Sequence, residues 1–406
     1  MKPLIVILAG GIGRSFKPLV TNKTLIPICG KVMLQYVIEM AESAGFPEAF
    51  IITNPENEKW LSSYQPFNIT LRTQLVKPTG MGDALLQARE QIGNQPMLVV
   101  NASDFIEPTF FKSIMRQTYD SYGFITGLKV DKYFPAGYIK AEGNRAIEVV
   151  EKPGAGKEPS DLLNLIFHYF SVPEDFFKIL KETPTSDDQY EKALSILMKN
   201  KNIDILRYPG KWEKLKYPYH LLNMTEFLLK IRNSNHRART AKVSPHATIE
   251  GEVFVDEDAV IDAYAVIKGP SYIGRGVRIG NHAMVRQSTI EEGSVVGFGT
   301  EVVRSYIGPK CALHHCFVGD SILESNINAS WGTTFANWRI DDEPVKLKIG
   351  KDLIDTGRKK MGAVVARNVF LGVNCSIMPG VTLGTNCKVF PGKVISTFLD
   401  QDQIEK

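Results

Sequence analysis

A chain of 406 residues is long enough for two or three domains, each with its own core. Its 48 Lys and Arg against 44 Asp and Glu leave a net charge of +4, too balanced to demand nucleic acid or an anionic membrane as partner. Five cysteines (Cys29, Cys311, Cys316, Cys375, Cys387) lack CxxC or metal-ligand spacing, and the opening apolar run Leu4 to Ala9 is too short for a signal or membrane segment, so a soluble cytoplasmic protein is expected.

Residues 3–9 form a continuous apolar run, as in a strand buried on both faces, and the glycine-rich segment Gly10-Gly11-Ile12-Gly13-Arg14 follows at once. Gly30 to Gly45 then carries apolar residues at helical spacing (Met33, Leu34, Val37, Ile38, Ala41). Further buried strands are predicted at 49–53, 97–101 and 122–128, with helical patterns between them at Gly82–Ile92 and Pro108–Tyr119. Alternating strands and helices imply an α/β sheet with ligands at the carboxyl ends of its strands. The basic run from Lys230 to Lys242 reads as a solvated linker rather than a binding patch.

From Val243 the period changes to six: Val243, Ile249, Val255, Ile261, Ile267, Ile273, Ile279 and Val285. The rhythm slips by one residue at Ile290, continues through Val296 and Val302, and returns at Val365, Leu371, Ile377, Leu383, Val389 and Ile395. Neither a helix nor a flat strand repeats every six residues, whereas each side of a parallel β-helix places one aliphatic residue per six into a stacked interior column. Small residues follow the aliphatic one at Ile273-Gly274, Ile279-Gly280, Val296-Gly297, Leu371-Gly372 and Leu383-Gly384, as sharp corners require. The hexads break between about Leu323 and Val364, an insert long enough to suggest function. The expected division is therefore a front domain over 1–229, a linker over 230–242, and a β-helix over 243–398 with an insert at about 323–364.

The front motifs fit neither the dinucleotide GxGxxG nor the P-loop. The run Leu8-Ala9-Gly10-Gly11-Ile12-Gly13-Arg14-Ser15-Phe16-Lys17-Pro18-Leu19, continuing through Lys23 to Pro27-Ile28-Cys29-Gly30-Lys31, resembles the signature of sugar-1-phosphate nucleotidylyltransferases. Gly80-Met81-Gly82-Asp83, Asn101-Ala102-Ser103-Asp104, Gly137-Tyr138 and Glu151-Lys152-Pro153 follow in that family's order. The resemblance implies a Rossmann-like α/β nucleotidyltransferase domain. It transfers a nucleotidyl group from an NTP to a sugar-1-phosphate and releases pyrophosphate, a reaction that needs positioning and charge neutralisation more than covalent help. On the matching positions, Leu8, Ala9, Gly10, Gly11, Gly13, Gly80 and Asp83 would bind the nucleotide; Gly137, Glu151, Lys152 and Asn164 the sugar phosphate; and Asp104 Mg²⁺. Lys23 would face the phosphates. Ser15 stands where the family places a catalytic arginine, which puts Arg14 or Lys17 in that role. Lys214, within Trp212-Glu213-Lys214, replaces a second metal aspartate.

The back half is similar to the acetyltransferase half of bifunctional enzymes that make UDP-N-acetylglucosamine, especially their archaeal versions. The residues that carry this are His314-His315-Cys316-Phe317-Val318-Gly319-Asp320, Ala336-Asn337-Trp338-Arg339 and Thr356-Gly357-Arg358-Lys359-Lys360. The resemblance implies a left-handed parallel β-helix of hexapeptide repeats, assembled as a homotrimer or dimer of trimers, with acetyl-CoA as co-substrate. His314, or His315 beside it, would be the general base, Asn337 would contact sugar or thioester, and Lys346 would bind phosphate. Phe317 replaces a usual tyrosine, and Glu343 stands where relatives carry a lysine. Three readings stay open at this point: both halves active, one half active, or a nucleotide-sugar sensor on a β-helical scaffold. The residues also leave open UTP with an amino- or N-acetylamino-sugar-1-phosphate against dTTP with glucose-1-phosphate.

Overall fold

The computed structural model describes residues 2–77, 79–114, 122–232 and 235–406, and for Arg14 the backbone alone. The chain divides into two compact units, one of Met1–Ile12 and Met33–Trp212, the other of Gly13–Val32 and Glu213–Lys406. The segment 13–32, read in sequence as part of the front half, belongs to the second unit.

The first unit is built on a nine-stranded mixed sheet. Leu4–Leu8 lies between Glu48–Thr53 and Met97–Asn101 and runs parallel to both. These three strands are apolar almost throughout because the sheet is covered on both faces. Leu162–Phe170 pairs antiparallel with Met97–Asn101 and with Gly123–Lys129, and every one of its nine residues is buried. Ile203–Tyr208 runs parallel to Gly123–Lys129, and the hairpin Gly137–Glu142/Arg145–Glu151 closes that edge. Helices Met33–Ser43 and Met81–Ile92 lie where apolar spacing predicts them. The helix expected over 108–119 is seen as Pro108–Ile114, the remainder lying outside the described residues.

In the second unit, strands of two or three residues stack into three parallel sheets of eight, nine and eight strands, the sides of a β-helix. The six-residue pattern locates its core: Val255, Ile261, Ile267, Ile273, Ile279, Val285, Ile290 and Val296 are all buried in one column system. The exceptions lie on the terminal coil, where nothing stacks beneath: Val243 is half-buried and Ile249 is 40% exposed. The slips in rhythm have a polar cause. Ser271, Ser288, Ser305 and Ser321 form a buried ladder at one corner, in which the hydroxyl of each serine accepts the backbone N–H of the next at 3.0–3.3 Å. Ser288, Ser305 and Ser321 donate in turn to the carbonyl two residues back at 2.8 Å. This local hydrogen bonding turns the chain in one residue fewer.

Three boundaries differ from the sequence reading. Helix His220–Arg232 runs into the supposed linker, and His236–Arg237 already pairs with Val253–Val255 as the first coil strand. Arg232 is half-buried, its guanidinium 3.6 Å from the Phe254 ring centroid. The coil also persists through Asn328–Ala329 and Thr334–Phe335, so the excursion spans 336–363 rather than starting near 323. Ala329 and Phe335 fill the inward positions there, a small and a large residue that an aliphatic count passes over. At the far end, Ile404–Glu405 pairs with Lys388–Val389, beyond the expected limit of 398.

Candidate active sites

In the first unit, the parallel strands Leu4–Leu8 and Met97–Asn101 end side by side, Leu8 opposite Asn101. Their carboxyl ends lead into Ala9-Gly10-Gly11 and Ala102-Ser103-Asp104. The carbonyls left over where the glycine loop departs are held by amides: Asn54 Nδ2 donates to Ala9 O (3.1 Å) and Gly11 O (3.3 Å), and Asn57 Nδ2 to Ala9 O (2.8 Å). A Cβ at Gly11 would meet no described atom within 4 Å, so its glycine answers to what approaches the loop rather than to packing. Asn101 Oδ1 accepts from Ser103 N (2.9 Å) and Ser103 Oγ (2.8 Å), a turn that places Asp104, buried, at the start of Asp104–Ile106.

Gly80 and Asp83 serve the helix Met81–Ile92 itself. Gly80 is its N-cap, and Asp83 Oδ2 accepts from Thr79 N (2.9 Å), Thr79 Oγ1 (3.2 Å) and Gln87 Nε2 (3.0 Å). That carboxylate locks the first turn, where a negative charge also suits the helix dipole.

The four sugar-phosphate candidates come together. Gly137 lies opposite Glu151, and a Cβ on it would sit 3.1 Å from Glu151 Oε2 and 3.5 Å from Asn164 Cβ. Lys152 Nζ lies 3.2 Å from Glu151 Oε1 and 3.1 Å from Asp187 Oδ2. Partial burial pulls the Lys152 pKa down, but Asp187 and Glu151 outweigh it and leave it above the ordinary lysine value. Behind Asn164 stands a pair that the motifs did not single out. His168 Nε2 lies 3.0 Å from Asn164 Oδ1, and His168 Nδ1 2.8 Å from Tyr190 OH. Burial drives the His168 pKa down to about 3. The ring is thus neutral, donating to Asn164 from Nε2 and accepting the Tyr190 proton at Nδ1.

In the second unit, Gly13 in left-handed conformation starts the short 3₁₀ turn Arg14–Phe16; the Arg14 side chain lies outside the described residues. Ser15 Oγ donates to Lys216 O at 2.8 Å, so the residue that replaces the family arginine ties two chain segments together. Lys17 is exposed and Lys23 half-buried. His220 accepts at Nδ1 from Tyr217 N (3.0 Å) and Lys216 N (3.3 Å). Its pKa falls to about 3, first through burial and then through the charges of Lys216, Lys214, Arg358 and Lys23. A group of cations thus gathers in this unit around His220, among them Lys214, the residue in place of the second metal aspartate.

On the β-helix, His314 is exposed, while His315 is half-buried between Phe298 and Trp331, with its Nδ1 3.2 Å from Phe298 O. Asn337 is fixed from below: its Nδ2 donates to Asp320 Oδ2 at 2.5 Å, over a Gly319 whose Cβ would collide with it. Asp320 is buried and held by Arg304 in a two-pronged ion pair, both bonds 2.7 Å. Lys346 is exposed at the start of the insert hairpin Lys346–Ile349/Asp352–Asp355.

The family described as MobA-like NTP transferase domain matches residues 5–138, and that described as Bacterial transferase hexapeptide (six repeats) matches 252–287. The bifunctional protein GlmU of Methanococcus vannielii is 31% identical over 387 residues, covering 93% of this chain and 91% of that protein. The chain belongs to the GlmU family. The GlmU of Methanocaldococcus jannaschii is 29% identical over 93% of this chain and 90% of its own length. A bifunctional sugar-1-phosphate nucleotidylyltransferase/acetyltransferase of Sulfurisphaera tokodaii is 28% identical over 92% of each. Among solved structures, an apo UDP-glucose pyrophosphorylase superposes with a TM-score of 0.51 at 22% identity, over 57% of this chain and all of that one. The complex with UDP-glucose gives 0.50 at 24%. These neighbours share the fold. The similarity to GlmU proteins, in contrast, spans both units. Among the described residues no helix is long and apolar enough to cross a membrane.

Proposed function

We propose that this GlmU-family chain is a bifunctional enzyme. Residues 1–229 transfer a nucleotidyl group from UTP to an N-acetylamino-sugar-1-phosphate, and residues 243–398 acetylate the amino-sugar-1-phosphate from acetyl-CoA. The observation that carries this reading is the similarity to GlmU proteins along 93% of the chain, through both halves. In the first reaction the sugar-phosphate oxygen attacks the α-phosphorus in line and pyrophosphate leaves. The Gly10-Gly11 backbone and Lys23 would hold the phosphates, with Lys17 or Arg14 neutralising charge. Gly137, Glu151 and Asn164 would grip the sugar hydroxyls, and Lys152 its phosphate.

Among the described residues no group of three or more His, Cys, Asp or Glu is placed to hold a metal ion by itself. One buried carboxylate, Asp104, fits an ion that completes its coordination with nucleotide phosphates and water, as Mg²⁺ does. Bound that way, Mg²⁺ would supply charge neutralisation at the transferring group. In the second reaction His314 would take the amine proton as the amine attacks the thioester, with Asn337 and Lys346 orienting the acceptor. The hexapeptide coils favour assembly as a trimer.

The test is pyrophosphate release with Mg²⁺ across four NTPs and a panel of sugar-1-phosphates, beside thiol release from acetyl-CoA with glucosamine-1-phosphate. Release of both products supports the bifunctional reading. Neither product with any pair would leave a nucleotide-sugar sensor on a β-helical scaffold.

A further inference from the structure

Within the second unit, segment 13–32 carries Lys17 and Lys23 and is fastened to the β-helix at two points by the same chemistry. Residues Pro27–Ile28 and Lys31–Val32 form a hairpin closed by Cys29 and Gly30, at φ 52° and 81°. Two left-handed residues in a two-residue loop leave both their N–H groups pointing out of the turn. Glu291 takes them, Cys29 N to Oε1 at 2.7 Å and Gly30 N to Oε2 at 3.1 Å. Thr289 Oγ1 adds a third donor at 2.6 Å, and Arg232 donates to the Cys29 carbonyl at 2.9 Å. The fit is close: a Cβ on Gly30 would lie 2.2 Å from the Tyr272 hydroxyl.

Glu324 makes the second fastening. Its Oε1 accepts from Val20 N (3.1 Å), Thr21 N (2.6 Å) and Thr21 Oγ1 (2.5 Å). Arg367 braces it, donating from its backbone N to Oε2 at 3.0 Å and from its guanidinium to Thr21 Oγ1 at 3.0 Å. Both glutamates are buried, and both follow the inward aliphatic of a strand in the same sheet, Ile290 and Leu323. Gly274 and Gly308 hold the equivalent place on neighbouring coils. The corner itself needs only a small residue, and Glu291 and Glu324 bond the segment from it, whereas Asp256, in the equivalent place after Val255, accepts from the Tyr272 hydroxyl at 2.6 Å.

We infer that the β-helix is a positioning element for nucleotidylyl transfer, with Glu291 and Glu324 as the positioning residues that set the segment bearing Lys17 and Lys23. This rests on the proposed front-half activity. Removing a carboxylate frees two successive N–H groups and lets the lysines wander, which weakens grip on the triphosphate and leaves the sugar-phosphate cluster of the first unit untouched.

The experiment uses the full chain: wild type, Glu324→Ala, Glu324→Gln and Thr21→Val, the last acting from the segment side should the glutamate variants fail to fold. Steady-state pyrophosphate release gives kcat and separate KM values for UTP and N-acetylglucosamine-1-phosphate, and hydrogen exchange follows the amides of 19–31. We expect Glu324→Ala to lower kcat/KM for UTP about tenfold or more, roughly the 1.4 kcal/mol of one hydrogen bond. Its KM for the sugar phosphate should stay within twofold. Thr21→Val should lose less, Glu324→Gln should recover part of the loss, and exchange at Val20 and Thr21 should quicken. UTP kinetics within twofold of wild type in both Glu324→Ala and Thr21→Val overturn the inference. If the wild type releases no pyrophosphate with any pair, it is the functional reading that fails. Unchanged exchange at 19–31 then overturns the fastening as well.

Discussion

Around the glycine loop of the first unit the backbone groups left over are carbonyls, and asparagine amides from Asn54 and Asn57 donate to them. On the β-helix the groups left over in segment 13–32 are N–H donors, and the carboxylates of Glu291 and Glu324 accept them. The same demand, that buried backbone groups find partners, thus selects opposite residue types in two regions. The choice has consequences. An amide does not titrate and costs little to bury once bonded. A buried carboxylate makes stronger bonds but carries a desolvation penalty and a dependence on pH. The front sheet repeats the neutral solution in Tyr190–His168–Asn164, and the β-helix repeats the charged one in Arg304–Asp320–Asn337.

The largest effect expected is on chemistry in the neutral region. Asp104→Asn keeps the shape of the turn but removes the buried carboxylate proposed to hold Mg²⁺; pyrophosphate release should fall by roughly two orders of magnitude or more. A loss below tenfold would assign the metal elsewhere. Next comes the charged network. Arg304→Met leaves Asp320 buried with only Asn337 beside it, which should cost about 2–4 kcal/mol in denaturant unfolding, discounted because Arg304 is itself a third exposed. Acetyl transfer should fall with it while UTP kinetics stay unchanged. A smaller loss, about 1–3 kcal/mol, is expected for His168→Leu, which strands the Asn164 carbonyl and the Tyr190 hydroxyl. Its kinetic signature is a raised KM for the sugar-1-phosphate alone. In the wild type, His168 stays neutral well below pH 5, so it should contribute no pH dependence to that KM between pH 5 and 8.

The two regions also differ in how far they could be read beforehand. The column of the β-helix was legible from Val255 to Val302 and again from Val365 to Ile395, because burial on a repeating coil acts on about one position in six and aliphatic residues satisfy it cheaply. Between them, Ala329 and Phe335 fill the inward places without an aliphatic residue. The glycine loop and Asp104 were legible because their order along the chain matches a family motif. What escaped were the polar residues that hold these groups in place, since their partners are distant in sequence: Asn54 is 45 residues from Ala9, and Glu324 is 303 from Thr21. Signals existed. Asn54-Pro55 after a buried strand is a helix start, and Glu291 and Glu324 interrupt a pattern of small residues after the inward aliphatic. Asp83 shows the converse, a motif residue whose carboxylate is engaged by its own helix turn.

The smallest expected effect tests the cost of the charged solution. Burial raises the Glu291 pKa to about 7, despite hydrogen bonds from Thr289, Gly30 and Cys29 and the charge of Arg232 that oppose it. A carboxyl with a folded-state pKa above its unfolded value binds protons more tightly when folded, so stability grows as pH falls from about 7 toward 4.5 and is lost as pH rises through that window. Asp175, held below the ordinary carboxylate value by its bonds to Lys201 and Tyr122, acts in the opposite sense at more acidic pH. Comparing wild type with Glu291→Gln isolates the first contribution: the midpoint of unfolding in the wild type should gain on the variant by a few degrees between pH 7.5 and 5. Parallel curves over that range would mean that the backbone donors of Cys29 and Gly30 fully offset desolvation, and that Glu291 stays ionised as readily as a carboxylate in water.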